Sequence, residues 1–143
     1  MKPWVWLRVA SILTLVHSVM HTIGGVFGKT PSGPASVAVA AMQANQFAFM
    51  GAVRTYWDFQ RGLGLSVTVF LTAEAVVFWM LGSLAKRNAR DLRPILVTFF
   101  FAYVAFAMVS MRYFFLLAAV MELAIALCLG LAFAGAKARV AEE

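Results

Sequence analysis

His17 and His21 stand four residues apart in "LTLVHSVMHTIGG", a spacing that puts both imidazoles on one face of a helix. Such a pair is the beginning of a metal site that carboxylates could complete. The chain has only two histidines, however, too few for a histidine-rich di-iron centre. Neighbouring turns of one helix also cannot supply both axial ligands of a haem, so no metal and no cofactor is expected. Acid–base chemistry fits the residue types better. Glu122, in "AAVMELAIA", is the acidic candidate beside His17, because burial in an apolar setting favours the uncharged form of both groups. No arrangement suggests nucleophilic catalysis by serine or cysteine; Cys128 is the single cysteine and can form no intrachain disulfide.

The polar residues around His17 are not scattered. At about 100° per residue, Ser11, Thr14, His17, Ser18 and His21 fall within an arc of about 120°. A lipid-facing surface would not collect them, so the stripe is expected to face the interior of a bundle or a wet cavity. The plainer account is hydrogen bonding between helices, in which Ser11, Thr14 and Ser18 are structural. Glu74, in "FLTAEAVVF", is a further acid deep in an apolar run and is assigned a structural polar role. Counted at about 1.5 Å per residue, His17 and Glu122 come to similar depth, whereas Glu74 lies elsewhere along its helix. A His17–Glu122 pair is the expectation.

A second cluster is "RTYWDFQRGLG", residues 54–64. Asp58 and Arg61 share one face at the start of a helix, where an acid favours the positive end and pairs with the arginine. Tyr56 and Trp57 suit the headgroup level, and Gly62 with Ser66 offers a small-residue contact. His21 should approach Asp58 and Arg61. The candidate ligand-binding set is therefore His17, His21, Tyr56, Trp57, Asp58, Arg61 and Glu122.

The elements that must position these groups follow from composition. With 143 residues, 63% hydrophobic and 13% charged, and the apolar residues collected into long blocks, the chain reads as an all-α polytopic membrane protein. Crossing a hydrocarbon core needs roughly 20 apolar residues. Four segments approach that length, at about 4–26, 59–82, 95–111 and 113–136, forming a single four-helix antiparallel bundle over 1–143. The start resembles a signal peptide in charge pattern, but Arg8 interrupts the apolar run and no small-x-small site follows, so a first span is expected instead. Between the first two spans, Pro31, Gly33 and Pro34 break the chain. A short interfacial helix is expected over about 35–50, capped by Ser36.

Basic residues set the orientation. Lys86, Arg87, Arg90 and Arg93 crowd the loop between the second and third spans, and Lys2, Arg8, Lys137 and Arg139 lie near the termini. Both termini and that loop are thus expected in the cytoplasm of a bacterial inner membrane. The net charge of +6 follows from this asymmetry and points to anionic headgroups, with no nucleic acid as partner.

With its His-bearing first span, its Pro/Gly-broken outer segment and "RTYWDFQRGLGL", the chain resembles uncharacterised small bacterial four-helix integral membrane proteins. That resemblance implies a fold and no particular activity. A looser likeness, carried by the span count and by His17, Glu74 and Glu122, is to four-helix proteins of the sterol-isomerase and sigma-2-receptor type, and to DoxX-like subunits of redox complexes. The leading expectation is a protein that binds a small lipophilic molecule, lipid or quinone-like, at an intramembrane polar site. Two alternatives stand beside it: an accessory subunit held to a membrane complex or a second copy, and an isomerase-like enzyme working through His17 and Glu122.

Overall fold

The computed structural model describes residues 2–136, so Lys137 and Arg139 of the orientation argument lie outside it. Helix α1 (Pro3–Met20) runs into a π-helical turn at His21–Val26 and is followed by the short α2 (Pro34–Ala44). Strands β1 (Gln46–Phe49) and β2 (Ala52–Thr55) come next, then α3 (Tyr56–Leu84). A single 3-10 turn (Arg90–Leu92) leads into α4 (Arg93–Tyr113), and α5 (Leu116–Gly135) closes the described chain. Among the described residues four helical stretches are long and apolar enough to cross a membrane: Pro3–Val26, Tyr56–Leu84, Arg90–Tyr113 and Leu116–Gly135. The all-α expectation holds at that level.

One part of it needs correction. The helix expected over 35–50 ends at Ala44, and the chain from Gln46 onward forms an antiparallel hairpin pairing Gln46 with Thr55 and Phe49 with Ala52. Asn45 stops α2 by turning to an extended conformation while its side-chain amide donates to the Ala41 carbonyl at 2.8 Å. Met50 and Gly51 then take positive φ of 48° and 81°, as a two-residue hairpin turn requires. The cap of α2 also differs. Pro34 occupies the first turn, where its missing N–H costs nothing, and the Ser36 hydroxyl donates back to the Gly33 carbonyl at 2.7 Å.

The chain gathers into two compact units, one made of the chain up to His17 and from Leu71 onward, the other of Ser18–Phe70. The division falls inside α1 and α3. In the first unit Leu7, Phe78, Leu96, Ile125 and Leu129 form the buried core, and the Phe78 ring meets Phe99 edge-on at 5.0 Å. The face of α5 that carries Ala119, Glu122, Ala126 and Leu129 is buried, as is the α4 face with Leu96, Tyr103, Ala107 and Ser110; α4 packs against α5. Alanines at three of these positions let the two backbones come close.

Cations and aromatic rings are paired in the same unit. The Arg8 guanidinium lies 3.4 Å from the Trp79 ring centroid and donates to Ser83 Oγ at 2.8 Å. Lys86 lies over Trp4 at 4.7 Å and Arg93 over Phe133 at 4.0 Å. Gly82 makes the first of these contacts fit, since a Cβ there would stand 3.2 Å from Arg8 Nε. Rings of this kind hold a cation while its stem packs on apolar surface.

Candidate functional site

The stripe on α1 is turned inward: Ser11, Thr14, His17 and Ser18 are all buried, and His21 is half-buried. Their partners divide between the two units. In the first, Ser11 Oγ donates to the Ala75 carbonyl at 2.6 Å, joining α1 to α3. Thr14 Oγ1 donates to the Ala10 carbonyl of its own helix at 2.8 Å and stands 3.5 Å from the Tyr103 hydroxyl. That hydroxyl in turn donates to Glu74 Oε2 at 2.6 Å, so Glu74 is held by α4. At 2.6 Å the bond is at the short end of the range for an O–H donor and an oxygen acceptor.

Glu122 is 1% exposed, the most deeply buried acid among the described residues. Its position on α5 follows from helical spacing with Ala119, Ile125 and Ala126, which carries it into the apolar core. Ser110 of α4 is its hydrogen-bond partner, with Oγ donating to Glu122 Oε1 at 2.8 Å. Glu122 Oε2 is buried without a hydrogen-bond partner among the described residues. A carboxyl group in an apolar interior is costly unless its oxygens are satisfied. The arrangement offers one free hydrogen-bonding oxygen, anchored by a hydroxyl on its other side and surrounded by hydrocarbon. It suits a hydroxyl, carbonyl or amide group carried by an apolar molecule.

In the second unit the polar groups are committed to local structure. Ser18 Oγ donates to the Thr68 carbonyl at 3.2 Å, and the hydroxyls of Thr22 and Thr68 meet at 2.9 Å. His21 Nε2 lies 3.0 Å from the Gly64 carbonyl, which can only accept, so Nε2 carries the proton. The π-helical turn starts at His21 and closes with the Phe27 amide on the Thr22 carbonyl. Such turns widen a helix by one residue and recur where a side chain must be re-aimed. Close packing here belongs to Gly64, where a Cβ would stand 2.9 Å from Val26 Cγ2. Gly62, the glycine singled out from the sequence, would meet nothing within 4 Å.

Asp58 is hydrogen-bonded to Thr55 and lies within electrostatic reach of Arg61. Asp58 Oδ2 accepts from the Thr55 amide at 3.1 Å and from its hydroxyl at 2.8 Å, while the Asp58 amide donates back to Thr55 Oγ1 at 3.0 Å. This reciprocal pair is a capping box that starts α3. Arg61 lies 5.0 Å over the Phe27 ring. Tyr56 is exposed and stacks on Phe47 at 4.9 Å, and Trp57 is half-buried.

The candidate ligand set thus falls into His17 and Glu122 in the first unit and His21, Tyr56, Trp57, Asp58 and Arg61 in the second. Tyr103 and Ser110 were missed. Their signal was available: they are the only polar residues in residues 99–111, and seven-residue spacing places them on one helical face with Ala107. Among the described residues no three His, Cys, Asp or Glu side chains gather as a metal-binding group. No protein-family model, curated protein or solved structure matches this chain.

Proposed function

We propose that this is an integral protein of the bacterial inner membrane, a four-helix antiparallel bundle with both termini cytoplasmic, that binds a small lipophilic molecule at the Ser110–Glu122 site. The observation that carries the reading is the second carboxyl oxygen of Glu122, buried in an apolar core with its neighbour oxygen already engaged by Ser110. A lipid or quinone-like molecule combines the two properties such a site selects, an apolar body and one or two polar atoms. The orientation rests on the basic residues Lys86, Arg87, Arg90 and Arg93 crowded between the second and third spans.

Mass spectrometry of organic extracts from the purified protein tests this. A lipophilic species enriched with the wild type and lost from Glu122→Gln, with the folded fraction unchanged, is the expected result. Identical extracts from both proteins would remove the binding role.

A second reading, an accessory subunit without a ligand of its own, is favoured by the hydroxyls of Ser11 and Ser18, each spent on a carbonyl of α3. On that reading Glu122→Gln leaves the extract unchanged, and the protein is recovered with a stoichiometric membrane partner after mild solubilisation.

A further inference from the structure

The β1–β2 hairpin carries large apolar side chains at its tip, in a part of the chain where α2 buries no residue. Phe49 and Met50 at its tip are 65% and 91% exposed, and Val53 beside them is 57% exposed. The base, by contrast, is firmly seated. Phe47 packs on Tyr56 at 4.9 Å and edge-on to Phe59 at 5.8 Å, so it clamps the hairpin to the first turn of α3. The last strand residue, Thr55, is also half of the capping box with Asp58, which leaves no slack between hairpin and helix. Cross-strand register puts Phe47, Phe49, Ala52 and Arg54 on one face, an apolar surface with a single cation at its inner edge.

We propose that this hairpin is an interfacial anchor, with Phe49 and Met50 inserted among the lipids of the leaflet in which α3 begins. The proposal rests on the membrane reading above. The occupant is argued from continuity and charge. The hairpin is fixed to the end of a helix long enough to span, so its tip sits at the level where that helix meets headgroups. Residues 18–70 carry Lys29, Arg54 and Arg61 against one acid, Asp58, a balance that suits anionic lipid. Aromatic and long apolar side chains beside an arginine are the composition of a segment lying in the interface.

Nitroxide labels at Met50→Cys, Val69→Cys and Ser32→Cys, each in a Cys128→Ala background, test the proposal in vesicles of phosphatidylcholine and phosphatidylglycerol. Collision with oxygen reports lipid and collision with a water-soluble nickel chelate reports solvent. The expected result is a Met50 label shifted toward the oxygen-rich behaviour of Val69 and away from Ser32. A nickel-accessible Met50 label with an oxygen-rich Val69 label overturns the anchor and leaves the membrane reading standing. A nickel-accessible Val69 label overturns both. Shielding of Met50 from oxygen and nickel alike also overturns the anchor, because it means that protein and not lipid covers the tip.

Discussion

Ser110 Oγ donates to Glu122 Oε1 at 2.8 Å, joining the buried faces of two helices separated by two residues of chain. It holds the most deeply buried acid among the described residues. Removing the donor strands a carboxyl group with no described partner for either oxygen. Ser110→Ala should therefore destabilise the protein by about 1–3 kcal/mol in denaturant unfolding in detergent. Replacing both groups with apolar residues, Ser110→Ala with Glu122→Leu, should recover most of that loss, since no polar atom is then left unpaired. A neutral Ser110→Ala would show that this bond contributes nothing to stability.

Glu74 and Tyr103 should behave as one unit. Tyr103→Phe deletes the 2.6 Å bond while keeping the ring against Phe78. A double-mutant cycle with Glu74→Gln and Tyr103→Phe is expected to give a coupling of about 0.5 kcal/mol or more. Additive losses would mean that the two side chains act independently.

Two neighbouring glycines should respond in opposite ways. Gly64→Ala drives a methyl into Val26 and should cost about 1–3 kcal/mol, as overpacking does. Gly62→Ala meets open space and should be neutral or raise stability by up to about 1 kcal/mol through helix propensity. Thermal melting of the two variants side by side separates them, and equal effects would contradict the packing of Gly64 on Val26.

Topology gives a test that needs no ligand. A cysteine at Asn88 should be labelled by a membrane-impermeant reagent only from the cytoplasmic side, and one at Ser32 only from the opposite side. The buried Cys128 gives little background. The reverse pattern would end the positive-inside argument built on Lys86, Arg87, Arg90 and Arg93.

Loss of the cap at the start of α3 should be felt locally. Asp58→Ala removes the acceptor for the Thr55 amide and should cost about 0.5–2 kcal/mol. It should also increase hydrogen exchange at residues 56–60 more than in the rest of α3, a pattern that a general loss of charge would not produce.

What could be read without coordinates was whatever depends on one helix at a time. Four apolar stretches are long enough to span because length and composition are local properties, and the α1 stripe from Ser11 to Ser18 is buried because a 3.6-residue period sorts side chains by face wherever the helix packs. Partnership was not local. Glu122 takes a hydroxyl from Ser110 and Asp58 closes a capping box with Thr55, two partners the sequence did not single out, and Gly64 took the close contact expected of Gly62. Two positions along a helix change direction by about 200°, and hydroxyls, imidazoles and arginines offer a carboxylate bonds of comparable worth. Rotation and register of packed helices therefore decide among them, and only the tertiary structure sets those. The hairpin is the same lesson in β form: "QFAFMGAVRT" alternates too briefly to outweigh the helical run before it. Its state was decided by Phe47, whose seat on Tyr56 and Phe59 exists only once α3 has formed.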